Sequence, residues 1–600
     1  MGIVGGFGSW VFRLVIEVIF YLFFTFPNLI LDFLDLSSFN WLPFLIAPAL
    51  GGVIVGFLTN RVSKETKGHG VPEVLEAVAL RNGKMNIRIP FIKIVASATT
   101  IGTGGSAGRE GPIAQIGAGF GSLLGQKLGL PPKTLKTLVV AGVAAGIAST
   151  FNAPIGGALF AIEILLGESG GTALFIPIII ASVVGVVVGQ LLLGSNPAFI
   201  GFPQLEYHDP YLIPIFIGLG LIMGILSALW IKFFYKSEDL FEIVTNRKLK
   251  IPNILNPAIG GLFVGLILVL TYFATGNQWK MYTVMGLTYL PMDAVFQGSL
   301  LQGPALDVLL VLLLLFFLKA LATVFTVGSG GSGGVFAPTL FLGVMSGAIF
   351  GIILGDFTSK ANIPIPLLAV LGMAAFFAGT GRAPLTAIIM TAEMTNDYFL
   401  TIPLMIVVII SYVVSIFIEK EDIYTLKLIR RGVSLKDQRK DILDTLIVEN
   451  AMTPVEKIKS ISRKSRLEEV LKLVKDTNHQ GFPVIDDGKL LGVVTLSDIH
   501  KAIEAHPKDW NIGNILENKP KEKMIICTSK NASLTQAVVI MEKYDISRLP
   551  VVEKLENNQL KLVGWLTNHD ITHSFISAKT TSELDKIEEY LVNYPDIIKQ

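Results

Sequence analysis

Long apolar runs, broken by glycine, proline and short charged stretches, fill the chain from Phe12 to Ile418; beyond that the pattern turns charged and amphipathic. The first run, Phe12 to about Leu34, is long enough to cross a membrane, and Arg13 and Glu17 on it have the i,i+4 spacing of a helical ion pair. A second run, Leu42 to Leu58, ends in the basic loop Asn60 to Lys64, which suggests the cytoplasmic side. Further spans are expected over about Ile254 to Phe273 and Leu306 to Val327, with a polar connection from about Lys232 to Lys250 between two halves. Ile113 to Leu124 is too short to cross about 30 Å of hydrocarbon as one straight helix, so it should be tilted, broken or buried in protein.

After Ile418 come Glu419 to Asp422 and then a run of Lys and Arg, so the membrane part should end near residue 430. The tail reads as a pair of small α/β domains. Gly481-Phe482-Pro483-Val484-Ile485 and Arg548-Leu549-Pro550-Val551-Val552 open matching strands, each preceded by an amphipathic helix. Each is followed by a Thr and an Asp before another helix, Thr495 and Asp498 in the first, Thr567 and Asp570 in the second. Either pair alone can be a helix cap. The expected organisation is an N-terminal membrane-associated helix (1–41), a membrane domain (42–430), a linker (431–446), two α/β domains (447–505 and 517–576) and a tail (577–600).

Composition sharpens this. Of 600 residues 51% are hydrophobic and 16% charged, with mean hydropathy +0.61, where soluble domains carry about 25% charged residues. The chain is therefore an integral membrane protein. A net charge of +2 and no basic run with interleaved aromatics exclude nucleic acid as a partner. The single cysteine, Cys527, rules out an intrachain disulfide and a cysteine metal cluster, and fits a reducing cytoplasm. The first ten residues carry no Lys or Arg, so no signal peptide is expected. No nucleophile–base pair, metal-ligand cluster or Walker loop stands out, which argues against an enzyme.

The candidate chemistry centres on Gly105-Ser106-Ala107-Gly108-Arg109-Glu110-Gly111-Pro112, two charges in an apolar neighbourhood. A charge within lipid costs at least about 2.5–3.5 kcal/mol, so such residues usually face a water-filled path. The glycines allow a tight turn and Pro112 suits a first helical turn, which puts Glu110 at a helix start. Free N–H groups and the helix dipole there attract anions, so the Glu110 carboxylate can occupy the place of a mobile anion. The block repeats as Gly331-Ser332-Gly333-Gly334-Val335-Phe336-Ala337-Pro338. Further on, Gly142 through Asn152-Ala153-Pro154 to Glu163 matches Gly372 through Arg382-Ala383-Pro384 to Glu393. Duplicated halves with broken helices mark transporters that bind substrate near the membrane midplane.

With these motifs the membrane part resembles the CLC family of chloride channels and chloride/proton exchangers. Gly108-Arg109-Glu110-Gly111-Pro112, Gly334-Val335-Phe336-Ala337-Pro338 and Gly68-His69-Gly70-Val71-Pro72 carry the likeness, and the tail resembles a tandem of CBS domains. The resemblance implies a polytopic all-α membrane domain of two inverted repeats followed by the α/β CBS pair, and a homodimer with one pore per subunit. It further implies Glu110 as the gating residue. His69, Gly108, Arg109, Glu110, Gly111, Val335, Phe336 and Tyr424 would be the anion-binding set. The CBS likeness implies that Thr495/Asp498 and Thr567/Asp570 hold the ribose of ATP, ADP or AMP. Chloride is the implied transported ion, no cofactor is required, and the implied place is the plasma membrane with the CBS pair in the cytoplasm.

Two departures bear on mechanism. His69 stands where the family usually has Ser; its imidazole can donate to an anion, and conduction could then respond to pH near neutrality. Ile164 stands where exchangers have a second glutamate, and it carries no proton; Glu163 reads as a capping or pairing residue, like its repeat mate Glu393. The expectation is a passive, voltage- or pH-gated chloride channel. The alternatives are a chloride/proton antiporter and, from another class, a nucleotide-responsive membrane sensor.

Overall fold

The computed structural model describes residues 1–167, 174–194, 199, 212–355, 364–433, 446–477, 479–505, 510–519, 525–554 and 559–577, with the side chains of 277–279 outside the description. Two compact units are present, Met1–Leu435 and Lys436–Gln600.

The first unit is helical, and nine of its described helices are long and apolar enough to cross a membrane. Its two halves repeat the same order. Val71–Leu80, Ile89–Gly102, Glu110–Lys127, Pro132–Phe151, Pro154–Leu165 and Phe175–Leu193 in the first correspond to Tyr289–Phe296, Ala305–Thr323, Phe336–Leu354, Ile365–Gly381, Pro384–Thr395 and Thr401–Ile418 in the second. Proline sits in the first turn of many of these helices, where its missing N–H costs nothing. Asn152 and Arg382 end corresponding helices in the left-handed region (φ 56° and 57°), turning the chain into the Ala-Pro start of the next helix.

Glycine lets the paired helices touch backbone to backbone. A Cβ on Gly117 would lie 2.2 Å from the Gly142 carbonyl oxygen, and one on Gly343 would lie 2.7 Å from that of Gly372. Small residues at such crossings substitute dispersion contact for the hydrophobic drive that lipid removes. The segment Ile113 to Leu124 lies within a longer helix, Glu110–Lys127, that is buried along nearly its whole length, one of the three arrangements expected of it.

The two halves meet at Gly108 and Gly334. Each donates its N–H to the other's carbonyl, at 2.8 and 2.7 Å, as an isolated antiparallel bridge. Such reciprocal pairing puts a local twofold axis between them, the relation that inverted repeats require.

Two boundaries differ from the sequence expectation. The first helix begins at Gly2 and runs to Phe33, with Gly2, Gly5 and Gly6 set against Val184, Ala145 and Val188, so it packs into the first half along its glycine edge. The expected polar connection Lys232 to Lys250 is helical as far as Lys248. Trp230, Ile231, Phe234, Tyr235 and Phe241 are buried at helical spacing, and that apolar stripe carries the helix through the charged positions.

The second unit contains two small sheets, β1 (Thr453–Pro454), β5 (Leu560–Thr567) and β4 (Arg548–Lys554) in that spatial order, and the hairpin β2 (Gly481–Asp486) with β3 (Lys489–Thr495). Each has its own core, around Phe482, Val484 and Val494 in one and Leu549, Val551 and Leu566 in the other. Leu490 joins Val552, Leu562 and Trp565 in a third cluster that locks the two domains together.

Candidate functional site

Glu110 opens its helix, as expected, and is fully buried. Its Oε1 accepts a hydrogen bond of 3.0 Å from the Tyr289 hydroxyl. Oε2 is buried without a hydrogen-bond partner. It lies back over Gly108: a Cβ there would sit 2.1 Å from Oε2 and 3.1 Å from the backbone nitrogen of Ala337. The carboxylate thus stands where the N-termini of the Glu110 and Phe336 helices converge. Two helix starts, each with unpaired N–H groups, make a strong local preference for negative charge.

Around this point the structure gathers most of the expected anion-binding residues. Gly111 is so close to the turn before the Val71 helix that a Cβ would come within 2.0 Å of the His69 carbonyl oxygen and 3.1 Å of Gly334 Cα. Val335 caps the Phe336 helix and Phe336 is its first residue, so their N–H groups belong to the unpaired first turn. The Phe336 ring is held by Phe151 (5.3 Å between centroids), Phe160 (6.1 Å) and Phe377 (4.5 Å).

His69 is completely buried, and both ring nitrogens lack a partner within the protein. The ring packs edge-on against Phe234 at 5.5 Å and beside Tyr235 at 6.3 Å. Buried polar atoms are normally paired; burial, with Lys427, Lys93 and Arg431 nearby, holds this imidazole well below its ordinary pKa and so neutral, with a single N–H that can donate to an anion, and the expected pH response near neutrality does not follow from it. Arg109 points elsewhere: its guanidinium donates to the Thr150 carbonyl at 3.1 Å and lies over the Tyr289 ring at 5.4 Å. Tyr424 is the N-cap of the helix Thr425–Arg430, and its ring is buried in the same core as Phe336. Its own N–H is taken by Asp422 Oδ1 at 2.7 Å.

Three residues of the site were missed in the sequence. Tyr289 had no motif around it. Lys93 and Lys319, each at the same distance ahead of its repeat block, are lone cations in apolar runs and could have been found by that signal. Lys93 donates to the carbonyls of Thr66 (3.0 Å) and Gly68 (2.9 Å), Lys319 to those of Val284 (3.3 Å) and Gly286 (3.0 Å). Each lysine therefore staples the turn that precedes a short helix of its own half.

Glu163 and Glu393 do cap helices. Glu163 accepts from the N–H groups of Leu385 (3.1 Å) and Thr386 (2.8 Å), and Glu393 from those of Ile155 (3.0 Å) and Gly156 (2.7 Å).

In the second unit, both Thr–Asp pairs bond to themselves as caps. Asp498 Oδ2 takes the Thr495 hydroxyl and Asp570 Oδ2 the Thr567 hydroxyl, each at 2.7 Å. They differ in what else they meet. Asp498 is also paired with Lys519 Nζ at 2.7 Å. Burial works against its charge, but hydrogen bonds from Lys519 and Thr495 prevail and hold the carboxyl below the usual range. Thr567 and Asp570 line an open cleft of about 600 Å³, together with Lys457, Lys459, His479, Arg548 and Trp565.

Residues 51–416 match the family described as voltage gated chloride channel, and residues 448–505 and 522–577 match the CBS domain. The chain is 28% identical over 590 residues to chloride channel protein CLC-e of Arabidopsis thaliana, covering 89% of this chain and 80% of that protein. It is 30% identical over 403 residues to the H(+)/Cl(-) exchange transporter ClcA of Vibrio cholerae, covering 67% of this chain and 82% of that one. Among solved structures, a slow cyanobacterial Cl-/H+ antiporter is matched with TM-score 0.61 at 24% identity, over 73% of this chain and 97% of that one. A eukaryotic CLC transporter is matched with TM-score 0.59 at 20% identity, over 95% of this chain and 96% of that one.

Proposed function

The chain belongs to the voltage-gated chloride channel family, with two CBS domains after its membrane part, and from that premise we propose that it conducts chloride passively, with the Glu110 carboxylate as its gate. The observation that carries this reading is the place of that carboxylate, buried where two helix N-termini converge. An ionised Glu110 there competes with chloride for the same unpaired N–H groups; protonation removes the competing charge and lets the side chain leave. The N–H groups of Val335 and Phe336, the imidazole of His69 and the hydroxyl of Tyr424 are the proposed contacts for the ion. Neutral donors and dipoles bind an anion without a full countercharge, so the ion also leaves readily.

Ile164 and Glu163 speak against coupling to protons. Ile164 has no titratable group, and the neighbouring Glu163 is engaged with the start of the Pro384 helix. A second reading, chloride/proton exchange, draws support from the resemblance to ClcA and from Glu73, a buried carboxylate paired with Arg431 at 2.9 Å on the helix that follows His69.

The protein is proposed to act as a homodimer in the plasma membrane with the CBS pair in the cytoplasm. Exposed Ile155, Leu385, Ile402 and Met405 on helices Pro154, Pro384 and Thr401 supply an apolar face for a second copy. An adenine nucleotide in the cleft of Thr567 and Asp570 would be the regulator, the role on which the sensor reading depends.

Reconstitution into liposomes tests the proposal. With an outward chloride gradient and voltage set by potassium and valinomycin, chloride efflux without proton uptake is expected. Uphill proton uptake in a fixed ratio to chloride would establish the exchanger instead. Glu110→Gln should raise flux and flatten its pH dependence; no change in either would remove Glu110 as the gate.

A further inference from the structure

We propose that Tyr289 is the latch of the Glu110 gate, its phenol hydroxyl holding the ionised carboxylate in the anion path, with Lys319 as the positioning residue that keeps the latch in place. The inference rests on the reading of Glu110 as gate and names the groups that set when it opens.

Tyr289 is the first residue of the helix Tyr289–Phe296 and comes from the opposite half of the protein to Glu110. Its hydroxyl donates to Glu110 Oε1 at 3.0 Å, and this is the hydrogen bond from another side chain that the carboxylate receives. The ring is fixed on two sides, by the Arg109 guanidinium over it at 5.4 Å and by Phe199 edge-on at 5.7 Å. A hydrogen bond to a charged acceptor in a dry site is among the stronger ones, and its donor favours the charged form.

The turn that presents Tyr289 needs external support. Thr288, just before it, has φ 58°, an uncommon conformation for a β-branched residue. The corresponding turn of the first half has Gly70 there, with φ 90°, where glycine carries no such penalty. Strained backbone persists only where the surroundings over-determine it. Lys319 supplies that constraint, its buried ammonium bonded to the carbonyls of Val284 and Gly286 and lying 5.7 Å from the Phe341 ring centroid.

The charged and titratable groups facing Glu110 are Arg109 on its own turn, Tyr289, Lys319 on the helix Ala305–Thr323, and Tyr424 at the start of the Thr425 helix. Arg109 and Lys319 act on the carboxylate through charge, Arg109 donating to the Thr150 carbonyl and Lys319 to those of Val284 and Gly286. Tyr289 reaches it directly.

The test is chloride efflux from liposomes as a function of external pH for the full-length protein. Tyr289→Phe keeps the ring and removes the donor, so protonation of Glu110 becomes easier. The midpoint of flux against pH should move up by about one unit, and flux on the alkaline side of the wild-type midpoint should rise up to about tenfold. Lys319→Met keeps the phenol but frees its turn, and should move the midpoint the same way by a smaller amount. In a Glu110→Gln background, Tyr289→Phe should add nothing. The latch is overturned if Glu110→Gln accelerates flux while Tyr289→Phe and Lys319→Met keep the wild-type midpoint. It is overturned equally if Tyr289→Phe has its full effect without the carboxylate. If Glu110→Gln itself leaves flux and pH response unchanged, the gate reading fails, and the latch with it.

Discussion

Glu163 and Glu393 each cap the helix that carries the other. Glu163, near the end of the helix Pro154–Leu165, accepts two N–H groups from the start of Pro384–Thr395, and Glu393, near the end of that helix, accepts two from the start of the first. Together with the Gly108–Gly334 bridge, this gives the inverted repeat two places where matching residues pair across its axis.

The reciprocity predicts equivalence. Glu163→Gln and Glu393→Gln should each lower stability by about 1 kcal/mol, the usual worth of a helix cap, because an amide keeps one acceptor and loses the charge that favours an N-terminus. Thermal unfolding of the purified protein in detergent measures this. The ratio of protons to chloride should be the same in Glu163→Gln as in the parent; a changed ratio would make Glu163 part of a proton path.

At His69 the prediction concerns the unpaired nitrogens. His69→Phe preserves a flat ring against Phe234 and Tyr235 but removes both polar atoms, so chloride flux should fall at least severalfold. His69→Ser leaves a donor and should retain flux, and because burial and the nearby Lys427, Lys93 and Arg431 already keep the imidazole neutral, it should leave the response near neutral pH unchanged. Equal flux in all three proteins would make the imidazole a packing residue.

Much of this arrangement was readable from the chain because glycine and proline fix backbone geometry locally. Glu110 and Phe336 begin helices where their motifs placed the turn, and the repeat located both helix starts that meet at the site. What stayed hidden depended on contacts between the halves. Tyr289 follows a turn, Gly286-Leu287-Thr288, that shares with Gly68-His69-Gly70 only its first glycine, so the repeat is invisible there. Arg109 belongs to the motif, yet its guanidinium turns to Thr150 and Tyr289, a choice set by neighbours distant in sequence. The length of the Ile213 helix was hidden for a different reason: its charges masked an apolar stripe that continues beneath them.

The two CBS motifs are predicted to be unequal. Asp498 is already held by Lys519, whereas Asp570 lines the open cleft. Asp570→Ala in the full-length protein should abolish binding of radiolabelled ATP or AMP, and Asp498→Ala should leave it intact; the opposite pattern would place the nucleotide at the first motif. For stability the sign is set by the lowered carboxyl of Asp498. Its contribution is present above the ordinary carboxylate pKa of about 4 and is lost as pH falls through the lower folded value. Asp498→Asn should therefore destabilise the protein at pH 7, with the difference from the parent shrinking below about pH 4, as followed by thermal unfolding across pH.

The last prediction separates a gate that can move from a turn that cannot. A methyl group on Gly108 would collide with Glu110 Oε2 at 2.1 Å, the far end of a flexible side chain. Gly108 has no positive φ, so alanine meets no backbone penalty there. The carboxylate is the part that can yield, and it can do so only by leaving the helix N-termini. Gly108→Ala should therefore resemble Glu110→Gln, with higher chloride flux at neutral pH and a flatter pH profile. On Gly111 the same methyl group would meet the His69 carbonyl oxygen at 2.0 Å, backbone that Lys93 holds through the adjacent Gly68. Nothing there can give way cheaply, so Gly111→Ala should yield little folded protein by size-exclusion chromatography. If Gly108→Ala folds and retains the parent pH profile, the carboxylate does not lie where it can block the ion.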